Sequence, residues 1–139
     1  MTPLKLYARD AEDMAVISAH LQDAVGQVGD MAYEAEAQRF VLLTNRYCWE
    51  QEKTPMRVRS ALQINTVRSI QHRKLNMARR DGVVSVLAVR FEPEDAPSGR
   101  LHLVFAAGGE IRLEVEACEA ILEDISAPWR AQSRPAHTP

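Results

Sequence analysis

A chain of 139 residues with 46% hydrophobic and 26% charged side chains has room for one ordinary globular domain and can bury a core without covalent staples. Its formal net charge of −2 and isoelectric point near 6.1 argue against a domain built mainly to hold nucleic acid. No run approaches the roughly 20 apolar residues that span a bilayer, and the start lacks the basic, then apolar, pattern of a signal peptide, so the expected setting is cytoplasmic and not membrane-bound.

In chain order, residues 4–8 read as a short strand. Asp10 follows where a helix N-cap belongs, with Asp13 placed to meet the first-turn N–H groups, and Met14, Ile17, Leu21 and Val25 recur at helical spacing. This predicts a helix over 11–24, ended by Gly26 and Gly29. The period then falls to two. Residues 31–35 and 39–49 read as strands joined by a tight connection at 36–38. Phe40 and Leu42 fall on one face of the longer strand and Val41 and Leu43 on the other, the pattern of a strand covered on both sides.

Residues 57–64 and 67–75 are two further strands, with Asn65-Thr66 either a turn between them or a bulge within one long strand. Asp81-Gly82 marks a turn, and 83–91 is rich in β-branched residues. A proline-containing loop at 93–99 precedes Leu101, Leu103 and Phe105. Gly108-Gly109 turns the chain into Ile111, Leu113 and Val115, which predicts a hairpin. Cys118, Ile121, Leu122 and Ile125 fit one face of a closing helix that Pro128 stops. Trp129 is expected to fold back onto the core, ending a domain over 1–129, with a loose tail at 130–139.

The predicted fold is therefore α+β: about seven antiparallel strands in a curled sheet or partial barrel, with an N-terminal and a C-terminal helix. That element count matches the pleckstrin-homology-like order.

The chemistry-bearing residues are scattered. His20 and Asp23 share a helix side, but two ligands do not make a metal site and a solvated face explains them. Cys48 and Cys118 are too few and too distant for a disulfide framework and read as buried thiols. His72, His102 and Cys48 are the candidates for an enzyme whose site assembles from distant positions, though no local signature supports a catalytic pair. Glu92, Glu94 and Asp95 read as a solvated loop. The glycine pairs are too short for phosphate loops, and no motif implies a cofactor or a metal.

Charge distribution is the strongest functional signal. Lys53, Arg57, Arg59, Arg68, Arg73, Lys74, Arg79 and Arg80 lie in a stretch without a carboxylate, whereas 110–124 holds Glu110, Glu114, Glu116, Glu119, Glu123 and Asp124 against Arg112 alone. If 57–64 and 67–75 pair as a hairpin, Arg57, Arg59, Arg68, Arg73 and Lys74 form a basic band. Such a band suits an acidic protein, a phosphate-bearing ligand or a second copy of the chain. RNA fits less well because interleaved aromatics are missing. Internal pairing with the acidic segment is the competing account. The function read here is a non-catalytic binding or protein-interaction module using this surface; a small enzyme or a structural homodimer is the alternative.

The opening residues 4–25, beginning Leu4-Lys-Leu-Tyr-Ala-Arg-Asp10, resemble the start of a small family of uncharacterised bacterial proteins. Residues 28–33, Arg90-Phe-Glu-Pro93 and 109–115 extend the likeness over nearly the whole chain. The resemblance implies a single compact domain and carries no activity, cofactor or catalytic residue.

Overall fold

A computed structural model describes residues 2–135. Its elements are β1 (Lys5–Ala8), α1 (Ala11–Leu21), β2 (Val25–Gln27), β3 (Met31–Glu34), β4 (Arg39–Tyr47), β5 (Met56–Ile64), β6 (Val67–Arg73), β7 (Val83–Pro93), β8 (Gly99–Phe105), β9 (Glu110–Val115), β10 (Ala120–Asp124) and β11 (Trp129–Arg130). All pairings are antiparallel. The strands run β1-β10-β5-β4-β2-β7-β8-β9-β6, with β3 beside β4 and β11 beside β5. The path ends at β1 and β6, so the sheet does not close.

The sheet has two halves that share β7. Val83, Val84 and Ser85 pair with β2, whereas Val86 onward pairs with β8, and the register shifts between Val86 and Ala88. Such a bulge bends a strand and raises its local twist. The first half is β1, β10, β5, β4, β2 and the start of β7 at residues 83–85; the second is the rest of β7 with β8, β9 and β6. Inward side chains from both halves meet α1 in one core: Phe40, Leu42, Leu62 and Ile64 from the first, Leu101, Leu103, Phe105, Ile111 and Leu113 from the second, and Met14, Ile17 and Leu21 from the helix. Asp10 caps α1 by accepting from the Asp13 N–H at 2.8 Å. The Ser18 hydroxyl in turn accepts from the Val89 N–H at 2.9 Å, tying the helix to β7.

The predicted first strand, first helix and strands from 31 to 115 are present, including the 101–115 hairpin, but the strand count and the C-terminal element change. Among the described residues there are eleven strands and one α-helix, so the seven-strand, two-helix, pleckstrin-homology-like order does not hold. The helix expected over 118–125 is β10, squeezed between β1 and β5. A run this short fits both periods. Asp124 decides the matter: it lies inward with Ala120 and Leu122, whereas a helix would have left it in water beside Glu119 and Glu123. The first helix stops at Leu21, three residues early, because Asp23 takes a left-handed φ of 63° and Val25 begins β2. Gly26 permits β2 to ride close on β4, since a Cβ there would come 2.8 Å from the Leu43 carbonyl oxygen.

Segments 57–64 and 67–75 do not form a hairpin. β5 pairs with β4 and β10, and β6 pairs with β9. Thr66, at φ 55°, turns a corner between the two halves, and its hydroxyl donates to the Ala117 carbonyl at 3.0 Å. Trp129 does return to the domain, but onto the outer side of β5, where it stays 41% exposed. Of the predicted tail, Arg130 pairs opposite Met56 and Ala131 is buried; residues 136–139 lie outside the described residues.

Candidate functional site

Register places the basic residues. On β5, Val58, Ser60, Leu62 and Ile64 turn inward, so Arg57, Arg59, Ala61 and Gln63 turn outward. On β6, Arg68 and Arg73 belong to the other half-sheet, and Lys74 follows them at a left-handed φ of 56°. The single basic band expected from the sequence is therefore two separate sets, because the corner at Thr66 parts them.

The β6 set is neutralised by the acidic segment, across strands. Arg73 meets Glu110 at 2.8 Å and Arg68 meets Glu116 at 3.3 Å. Arg100 bridges Glu114 at 2.7 Å and Glu94 at 3.1 Å on the same outer face. His102 Nδ1 stands 2.9 Å from Glu110 Oε1, and this bond, aided by Arg73, holds Glu110 below the usual carboxylate range against the opposing effect of burial. Lys74 is exposed and has no ion pair among the described residues.

The β5 set stands in different company. Arg59 reaches Asp30 at 3.1 Å and Asn45 at 3.1 Å. Arg57 donates to the Asn45 carbonyl at 2.9 Å and lies over the Tyr47 ring, 5.8 Å from its centroid, and meets no carboxylate among the described residues. Around these two, outward positions are mainly apolar. Tyr7, Ile121, Gln63, Val41 and Ala32 form one row across β1, β10, β5, β4 and β3. The next row brings Ala61 beside Leu43 and Glu123, the last paired with Lys5 at 3.6 Å. Ile125 sits beside Arg59, its N–H donating to the Arg59 carbonyl, and Trp129 lies opposite Arg57. Val25 and Val83 continue the surface over β2 and β7. Six large apolar or aromatic side chains are notably exposed, and Tyr7, Val83, Ile125 and Trp129, four of them, share this face.

The double-faced pattern of β4 now has a different meaning. Phe40 and Leu42 are buried, but Val41 and Leu43 are only half-buried; among the described residues only the far end of the same outward face is covered, where Arg57, Trp49 and Arg134 enclose Tyr47.

The enzyme candidates do not assemble. His72 is exposed on the edge strand β6, His102 is held by Glu110 on β8, and Cys48 is buried just after β4. Burial pushes both the Cys48 and Cys118 thiols up to about 11, so each stays protonated near neutral pH, the reverse of what a thiolate nucleophile needs. Among the described residues, no group of three or more His, Cys, Asp or Glu side chains is arranged to hold a metal. No helix among them is long and apolar enough to cross a membrane.

One polar cluster went unread in the sequence. Arg46, wholly buried, donates through Nε and Nη2 to Asp124 at 2.9 Å each and through Nη1 and Nη2 to Glu50 at 3.0 and 2.7 Å. Asp124 also accepts from the Ser60 hydroxyl at 2.7 Å and the Leu4 N–H at 2.9 Å. Burial alone would raise the Asp124 carboxyl, but these donors outweigh it and hold it below its ordinary value. The cluster joins β1, β4, β5 and β10 from the inside and braces the strands that carry the apolar face. Parity was the available signal: Arg46 shares the inward side of β4 with Phe40, Leu42 and Thr44.

The model of one protein family, described as Protein of unknown function (DUF2948), matches residues 4–137. No curated protein and no solved structure matches the chain.

Proposed function

The chain belongs to the DUF2948 family of proteins of unknown function, and we propose that it is a non-catalytic protein-interaction module that docks through the outer face of β1, β10, β5 and β4. One observation carries this reading. β4 is apolar on both faces, as in a strand covered on both sides, yet Val41 and Leu43 stay half-exposed within a surface shared by Tyr7, Val83, Ile125 and Trp129. Single exposed apolar residues are ordinary; a contiguous set marks a docking surface. Arg59 gives that surface a polar anchor within it and Arg57 one at its end, and arginine and aromatic residues are those that dominate binding energy at protein interfaces. Of the residues suggested by sequence, Arg57 and Arg59 thus stay with the proposed site, and Arg68, Arg73 and Lys74 leave it.

The test is capture of binding partners from an extract of the source cell, comparing the native chain with a Val83→Asp/Ile125→Asp variant and an Arg90→Asp control on the other half-sheet. The expected result is a partner retained by the native chain and the control and lost by the double variant, with urea midpoints unchanged. Identical partner sets for all three proteins would remove the reading.

A further inference from the structure

At one end of the apolar face the chain's last described strand closes a groove. β11 lies along β5 with Trp129 opposite Arg57 and Arg130 opposite Met56, and the Ala131 N–H anchors the segment by donating to the Pro55 carbonyl at 2.9 Å. Arg57, Trp129 and Arg130, continued by Gln132 and Ser133, line a groove of about 480 Å³. By comparison, the hollow over Arg73 and Arg112 on the other half-sheet measures about 140 Å³.

Seven of the fourteen arginines form no ion pair among the described residues, and this groove lies among three of them. Arg39, Arg59, Arg68, Arg73, Arg79 and Arg100 each meet a carboxylate. Arg57, Arg130 and Arg134 form no ion pair among the described residues, although Arg134 Nε reaches the Tyr47 hydroxyl at 3.3 Å in the same corner. Arg57 is held in place by the Asn45 carbonyl and the Tyr47 ring, which engage only part of its five-donor fork. A positioned guanidinium with spare donors suits a carboxylate, which it binds with two parallel bonds, and here an indole face lies alongside.

We propose that this groove takes an acidic, extended segment of the partner protein, one carboxylate pairing with Arg57 and an adjoining apolar side chain packing on Trp129. This rests on the reading of the outer face as a docking surface and adds which chemistry the partner must bring. The groove's continuity with that apolar face and its exposed indole favour a peptide over a bare anion, which has nothing to place on Trp129.

The experiment uses isotope-labelled full-length protein and follows its two indole N–H resonances, assigned with Trp129→Phe. The probes are a short peptide of glutamates interspersed with leucine, the same peptide with glutamine for glutamate, and inorganic phosphate. The expected result is a saturable shift of the Trp129 signal with the glutamate peptide that shrinks with added salt. The glutamine peptide and an Arg57→Glu variant should each bind about tenfold more weakly or worse, the variant keeping its native spectrum elsewhere. Equal binding of the glutamine peptide, equal binding by the charge-reversed variant, or phosphate saturating the site as tightly as the peptide would each overturn the proposal. Val83→Asp/Ile125→Asp should still bind the peptide, so loss of a cellular partner there and loss of the peptide here report separately on the face and on the groove.

Discussion

The two half-sheets are built with opposite distributions of charge. The second half, β7-β8-β9-β6, is apolar inside, with Leu101, Leu103, Phe105, Ile111 and Leu113 all buried, and its outer face is laced by ion pairs around Arg73, Arg100, Glu110 and Glu114. The first half buries Thr44, Arg46, Ser60 and Asp124 on its inner side and shows Tyr7, Val83, Ile125 and Trp129 outside. Both sheets stand on a common core, so the difference is not required by folding alone. Matched charges make a face indifferent to protein surfaces at small energetic return, because exposed pairs contribute only ~0–1 kcal/mol each. Apolar side chains left outward gain nothing for the isolated chain, which is why the first face, not the more highly charged second one, is the place to look for a partner.

Substitutions inside the two halves should separate them most clearly. Asp124→Ala strands the Arg46 guanidinium with Glu50 as its remaining carboxylate and should cost about 3–5 kcal/mol in urea unfolding. Leu103→Ala opens a cavity on the purely apolar side and should cost about 2–5 kcal/mol. The two differ in kind: replacing Arg46 and Asp124 together by apolar residues of similar volume should recover most of the first loss, while no polar rescue exists for the second. An Asp124→Ala cost below about 1 kcal/mol would mean that the cluster does not brace the first half at all.

Acid should act through the same contrast. Asp124, Glu50 and Glu110 are all held below their ordinary values; burial works against all three, but Arg46 with its fellow donors outweighs it at the first two and His102 with Arg73 at the third. A carboxyl depressed in the folded state binds its proton more readily when unfolded. Its stabilisation is therefore complete above the unfolded value, near pH 4, and lost as pH falls through the folded one. Urea midpoints should be flat towards neutrality and fall below about pH 4, and Asp124→Asn should flatten that fall. An identical acid slope in the variant would place the titrating groups elsewhere.

Much of this design can be read in the sequence, and the failures share a cause. Strands with clean alternation and a local turn, such as 101–105 and 111–115, declare themselves because both signals are local. β10 does not, since its partners β5 and β1 lie about 60 and 115 residues away along the chain and five residues cannot distinguish the two periods. The charge separation between 53–80 and 110–124 was legible, but its meaning depended on pairing. Charges set apart in sequence are what an antiparallel β6–β9 pair needs in order to match Arg73 with Glu110 and Arg68 with Glu116. Arg57 and Arg59 could be assigned to one face by parity, whereas Trp129 could not, because its place depends on a two-residue strand returning to β5.

The smallest effect is the most discriminating for function. Arg68→Gln/Glu116→Gln removes an ion pair whose members are both about half exposed, and should change the urea midpoint by no more than ~1 kcal/mol. Val83→Gln, on the other half's outer face, should be as quiet in the same measurement, since Val83 is 69% exposed and little of it is withdrawn from water on folding. The two variants should part only when an apolar-surface dye is added: the Val83 substitution lowers the fluorescence and the charge-pair substitution leaves it unchanged or raises it. If both lower it equally, the dye does not distinguish the faces. If Val83→Gln alone destabilises the chain, the outer face of the first half serves folding, and the reason for assigning it a partner disappears.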